Sequence, residues 1–178
     1  MKTLWSPDLF YTAFKYAASA HNGQTVPGTD LPYITHITGV CAELMAVVTA
    51  KDDGDLIIQC GALHDTIEDT KTTYEELEQE FGKAIAEGVQ SLSKNPELHK
   101  SLRMEDSLSR IVKQPHEIWM VKMADRIINL NPPPESWTAQ KRRNYLNESM
   151  IIYEALKEAN VKLADRLKQK IIDYENYL

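Results

Sequence analysis

Between Ala62 and Asp69 the chain reads ALHDTIED. His64, Asp65, Glu68 and Asp69 therefore stand among Leu56, Ile57, Cys60, Leu63 and Ile67, residues that mark a buried helix. Imidazole and carboxylate groups are costly to bury unless they are hydrogen-bonded, paired or bound to metal. Two further intrusions match this one. His36 interrupts YITHITGV, and Asp125 interrupts IWMVKMADRIINL, with Asn129 four residues further on the same helical face. Taken singly, each has a plain structural explanation. His36 could be a hydrogen-bonded core histidine, Asp125 could pair with Arg126, and Glu68 and Asp69 could belong to a solvated loop. The adjacent His-Asp pair inside an apolar helix is harder to explain that way. Three segments that each bury an acid or an imidazole could satisfy them all with one divalent cation.

The segments that must position these groups are helical almost throughout. Ser6 and Pro7 have the types expected at an N-cap and first helical position, opening a helix over about 7–21. HNGQTVPGTDLPY (21–33) is a loop set by its glycines and prolines. Ile34, Ile37, Val40, Cys41, Leu44, Val47 and Val48 mark the apolar face of a second helix. A third is expected from about Gly54 to Asp65; if it continued, residues four apart would stack His64 under Glu68 and Asp65 under Asp69. Thr72 and Glu75 have capping-box spacing for a short helix ended by Gly82. Helices over about 83–93, 100–113 and 115–130 follow, and NPPPES (131–136) stops the last of them. Two more run over about 137–158 and from about 163 to the end. No strand of useful length, repeat or low-complexity segment is visible. The expected fold is all-α, one bundle-like domain over residues 1–178.

Composition narrows the function. The 178 residues are 43% hydrophobic, enough for a sizeable core. A net charge of -6 argues against general affinity for nucleic acid or an anionic membrane. Cys41 and Cys60 sit in apolar helical patterns and read as reduced core thiols. MKTLWSPDLF has no long apolar stretch of the secretory kind, and no run approaches a membrane span. A cytoplasmic protein is expected, and the oligomeric state is open.

His36, the His64–Asp65 pair and Asp125 together resemble the HD superfamily of metal-dependent phosphohydrolases. LPYITHITGV, ALHDTIEDT, TYEELEQEFG and VKMADRIINL are similar to one branch of it: the hydrolase domain of Rel/Spo-type alarmone enzymes and the free-standing small alarmone hydrolases. There the corresponding spans read approximately PYI-x-HP, LLHDVVEDT, T-x-EEL-x-x-x-FG and VKLADRLHN. The similarity spans roughly residues 10 to 155.

The resemblance implies that His36, His64, Asp65 and Asp125 hold one divalent ion. Such a mixed nitrogen–oxygen set suits manganese, the usual ion of the family, with iron(II) or zinc as alternatives. It implies that Glu68 and Asp69 form the family's ED pair, which handles the attacking water or the leaving group. Asn129 matches a residue that touches the nucleotide sugar, and Lys141 and Tyr145 match substrate-binding positions. Lys122, just before Asp125, could lie near the site; Lys100 and Arg103 are weaker candidates for phosphate contact. The implied activity is removal of a 3′-diphosphate from an alarmone nucleotide, guanine or adenine, with release of pyrophosphate. Two alternatives compete: an HD phosphohydrolase for another nucleotide or phosphate ester, and a non-catalytic binding module. One departure bears on the choice. Relatives commonly read HKGQ-x-R-K-D in the first loop, whereas Thr25, Val26 and Pro27 carry no positive charge here.

Overall fold

The computed structural model describes residues 3–178; the first two residues of MKTLWSPDLF lie outside the described residues. Ten α-helices follow one another: α1 (Pro7–Ala20), α2 (Ile34–Met45), α3 (Gly54–Leu63), α4 (Thr66–Asp69), α5 (Tyr74–Phe81), α6 (Lys83–Leu92), α7 (Arg103–Ile111), α8 (His116–Asn129), α9 (Ala139–Leu156) and α10 (Val161–Tyr174). Short 3-10 turns occupy Lys100–Leu102 and Glu175–Tyr177. The fold is all-α. Among the described residues the only β pairing is an isolated antiparallel bridge, Thr25 to Pro32, which closes the first loop.

α8 is the central element. It packs against α2, α3, α9 and α10, and its Ile118, Met120, Val121, Met123 and Ile127 are almost completely buried. Burial of each such side chain contributes roughly 1.5–3 kcal/mol. α3 is buried along nearly its whole length, between α1, α2 and α8. Its approach to α2 depends on Gly61: a Cβ there would lie 2.5 Å from Leu44 Cδ1. His36, on the first turn of α2, and His64, just past the end of α3, meet with their Nε2 atoms 3.2 Å apart.

Side-chain caps open α1, α3, α5, α9 and α10. The Ser6 side chain accepts from Leu9 N, with Pro7 in first position. Asp53 caps α3 by accepting from Leu56 N. The capping box of α5 is displaced by one residue from the Thr72–Glu75 pair that the spacing predicts. Thr73 Oγ1 accepts from Glu76 N, and Glu76 Oε2 accepts from Thr73 N. Thr72 is held elsewhere, its N–H donating to Thr70 Oγ1 and its own hydroxyl receiving Tyr16 OH. Thr73→Ala should therefore lower unfolding free energy by about 1 kcal/mol, the usual value of an N-cap, in urea melts where Thr73→Ser stays near the parent.

Candidate metal centre and acid pair

α3 does not run on to Asp65. It ends at Leu63, His64 and Asp65 form a junction, and the single turn α4 resumes at Thr66. Thr66 Oγ1 donates to Leu63 O at 2.7 Å, closing the junction. One helical link survives across it, Asp69 N donating to Asp65 O at 2.9 Å. The break lets both neighbouring side chains turn to the same side, which a straight helix would splay by about 100°.

His36 from α2, His64 and Asp65 from this junction and Asp125 from α8 converge. One ligand atom from each lies within 4.8 Å of all the others. His64 Nε2 stands 2.9 Å from Asp65 Oδ2 and 3.7 Å from Asp125 Oδ1. His36 Nε2 is 3.5 Å from each of these oxygens and 3.2 Å from His64 Nε2. Ligands about 2.1 Å from one first-row ion lie roughly 3.0–3.5 Å apart. The donor set therefore fits a single divalent cation. The tautomer fits as well: His64 Nδ1–H donates to Gly61 O at 2.9 Å, which points the Nε2 lone pair of the neutral ring into the cluster.

Electrostatics support the same reading. Burial disfavours a charged His64, yet the Asp65 and Asp125 carboxylates raise its imidazole to about 10. Burial likewise works against the Asp65 anion, but the His64 and His36 imidazoles hold it well below the usual carboxylate range. Asp125 is also held low against its burial, by Lys122 first and then by the two imidazoles. The buried Asp125 and the half-buried Asp65 carboxylates attract positive charge, and protons and a metal ion compete for the place.

Asp125 is braced from both sides. Lys122 Nζ donates to its Oδ2 at 3.0 Å, and Asn129 Nδ2 donates to its Oδ1. Arg126, the partner that sequence alone offers for Asp125, turns away. It stacks 4.2 Å over the Tyr145 ring and reaches Ser149 and Glu148. Asp65 is braced by a residue that the sequence reading did not single out, Tyr33, whose hydroxyl donates to Oδ2 at 2.5 Å. Tyr33 stacks in turn on the buried His21, with ring centroids 4.8 Å apart. Tyr33 stands three residues before His36 in LPYITH, and that spacing was the available signal. Tyr33→Phe should weaken divalent-ion binding roughly 10-fold, as loss of a group orienting a ligand does, in calorimetric titrations of otherwise folded protein.

Glu68 and Asp69 lie one turn past the cluster and line a cavity of about 670 Å³ with Ser93, Lys94, Arg103 and Arg110. That volume suits a nucleotide-sized ligand. Partial burial first, then the Asp65 and Glu68 carboxylates, push Asp69 up to about 6. Both Glu68 oxygens are taken by Lys94, which the sequence reading also passed over: no periodic pattern links it to an acid 26 positions earlier.

The remaining sequence candidates lie in different places. Lys122 is buried and spends its charge on Asp125. Asn129 is exposed at the end of α8. Lys141 is exposed, its ammonium 4.0 Å above Trp137, and Tyr145 meets the same indole edge-on with centroids 5.1 Å apart. Lys100 lies on the surface in its 3-10 turn. Arg103 lines the cavity, but its guanidinium donates to Leu98 O and Pro96 O. His99 and His116 are exposed. Cys41 and Cys60 are free, buried thiols.

A helical protein in which histidines and aspartates from three segments close on one cation position is the class that this fold and site define. The chain belongs to the HD domain family, whose model matches residues 13–162. It is 31% identical over 167 residues, 89% of each chain, to guanosine-3′,5′-bis(diphosphate) 3′-pyrophosphohydrolase MESH1 of Danio rerio. It is 35% identical over 150 residues to the bifunctional (p)ppGpp synthase/hydrolase SpoT of Escherichia coli K12, covering 81% of this chain and 20% of that one. A solved structure, described as a metazoan ortholog of SpoT that hydrolyses ppGpp, superimposes with a TM-score of 0.84 over 97% of this chain and 98% of its own. At 24% identity that match is one of fold. No helix among the described residues is long and apolar enough to cross a membrane.

Proposed function

We propose that this chain is a metal-dependent pyrophosphohydrolase, a single HD-type domain that removes the 3′-diphosphate from guanosine 3′,5′-bis(diphosphate) or its adenine counterpart. The observation that carries the reading is the convergence of His36, His64, Asp65 and Asp125 next to the Glu68–Asp69 pair. The zebrafish and bacterial relatives that share most of this chain's length carry that hydrolase activity in their names. The four converging residues are the proposed ligands. Manganese is the proposed ion, with iron(II) or zinc as alternatives, because the donors are imidazole and carboxylate without thiolate. Bound there, the ion would polarise a phosphoryl oxygen and lower the pKa of a water molecule.

The chain's own residues supply the rest. Lys122 and Asn129 fix Asp125, Tyr33 fixes Asp65, and Gly61 O fixes the His64 tautomer. Glu68 and Asp69 would orient a water and take its proton. Asn129, and Lys141 with Tyr145 on the first turns of α9, are assigned to the nucleotide. The partner is a small nucleotide rather than nucleic acid, in keeping with the net charge of -6. A cytoplasmic setting accords with two buried thiols left free.

One observation favours a second reading, hydrolysis of another nucleotide or phosphate ester. The first loop presents no cation at Thr25, Val26 or Pro27, and it is packed at Gly28 against Pro134. The test is purified protein with manganese and a nucleotide panel, with pyrophosphate and phosphate release followed separately. Pyrophosphate from a guanosine or adenosine 3′-diphosphate supports the proposal. Phosphate from simple nucleotides, with no pyrophosphate from either, replaces it with the second reading.

A further inference from the structure

The acid pair next to the metal centre is held asymmetrically, and the asymmetry comes from Lys94. Its main-chain N–H donates to Glu68 Oε2 at 2.8 Å and its ammonium to Glu68 Oε1 at 2.9 Å. The carboxylate of Asp69 accepts no hydrogen bond from any described residue; only its backbone is engaged, with Asp65 O and the Gln24 amide.

An isolated surface ion pair would carry little weight. This one is built in. The end of α6 that presents Lys94 is pinned by Arg110, whose guanidinium donates to Gln90 O, Ser91 O and Ser93 O at 2.7–3.1 Å while resting on Asp106. Ser93 Oγ closes the helix by donating to Val89 O. The backbone N–H on Glu68 is thus fixed by the fold rather than by a mobile side chain. The other cations of the same cavity are committed elsewhere, Arg103 to carbonyls of Leu98 and Pro96 and Arg110 to the end of α6.

We propose that Lys94 is a positioning residue that divides the work of the acid pair: by gripping both oxygens of Glu68 it makes that residue a fixed orienting group and leaves Asp69 as the carboxylate that exchanges a proton. This rests on the hydrolase reading above. As the water oxygen bonds to phosphorus, its O–H bond breaks and the proton goes to Asp69. The P–O3′ bond breaks with its electron pair going to O3′, which takes a proton from solvent, and Asp69 returns its own to solvent. Glu68 accepts the other water hydrogen as a hydrogen bond and gains no proton.

The test compares Lys94→Met, which keeps the aliphatic stem, with Lys94→Arg, Glu68→Gln and the Lys94→Met/Glu68→Gln pair. Lys94→Met should lower kcat roughly 10- to 100-fold, with metal content unchanged and KM within about twofold, and Lys94→Arg should recover most of the loss. The double variant should be no slower than Glu68→Gln alone, because Lys94 acts only through Glu68. A rise in KM at constant kcat, or additive losses, would instead make Lys94 a direct substrate contact and overturn the proposal. Crystals of the parent and Lys94→Met proteins give a readout free of any substrate. With Oε2 still on the Lys94 N–H, the Glu68 carboxylate should rotate about that bond and carry Oε1 out of its place when the ammonium is gone; an Oε1 that stays put refutes the role of the Lys94 side chain, even if the nucleotide assignment stands. Absence of turnover in the parent on every nucleotide tried would count against the hydrolase reading, while the crystals would still decide for or against Lys94 as the grip on Glu68.

Discussion

Protein carrying Asp65→Ala is expected to hold no divalent ion after dialysis and to release no pyrophosphate above background. Asp65 contributes the carboxylate oxygen closest to His64, at 2.9 Å, and is itself braced by Tyr33. Alanine removes that ligand and leaves the two imidazoles facing each other across 3.2 Å with only Asp125 to balance a cation. Residual metal affinity cannot come from the neighbouring acids, because Glu68 is held by Lys94 and Asp69 points from the next turn. The measurement is metal content by mass spectrometry alongside pyrophosphate release. Full metal occupancy in Asp65→Ala would remove this residue from the ligand set. The helices should survive the change, since Asp65 caps nothing with its side chain and its neighbour Thr66 closes the junction.

Asp69→Asn should behave in the opposite way, keeping the ion and losing about 100-fold or more of the rate, the usual contribution of a general acid–base group. Its pH dependence follows from the raised carboxyl. Burial and the charges of Asp65 and Glu68 push Asp69 up to about 6. A base acts in its ionised form, so kcat/KM at saturating metal should fall roughly tenfold per unit on the acid side of a midpoint no higher than about 6. The positive charge of a bound ion moves this limb to lower pH, never higher. The limb should vanish in Asp69→Asn. A variant that retains both the acid limb and the parent rate would transfer the proton-accepting role away from Asp69.

Much of the fold could be read from spacing. Apolar residues three and four apart marked α2, α8 and α10, and Pro and Gly marked the first loop and the stop at NPPPES, because these signals are local. The same holds for His36, His64, Asp65 and Asp125: polar residues inside apolar helices are anomalies that a sequence displays directly. The junction at His64 was less legible. Nothing in ALHDTIED announces that the helix pauses before Thr66, since a threonine whose hydroxyl closes on Leu63 O looks the same in sequence as one inside a helix. The Thr72 and Thr73 ambiguity was of the smallest kind, two adjacent residues of one type, resolved by which of them the backbone leaves extended. Tyr33 and Lys94 were not singled out because their importance lies in partners 32 and 26 residues away. The substrate side stays the least legible. Lys141 and Tyr145 gather around Trp137, an arrangement that packing alone would also produce.

Gly28 sits at φ +81 with Pro134 so close that a Cβ would lie 2.8 Å from its Cβ. The first loop is therefore seated on the proline run that leads through Trp137 into α9, where Trp137 N donates back to Pro134 O. Two segments far apart in the chain, both assigned to the nucleotide in the proposed reading, are thereby packed together. If the loop lines a nucleotide as proposed, a shift that admits a larger base should carry the approach to α9 with it. Reshaping specificity by exchanging single residues in one wall will meet resistance from the other; paired exchanges across the Gly28–Pro134 seam are the economical route.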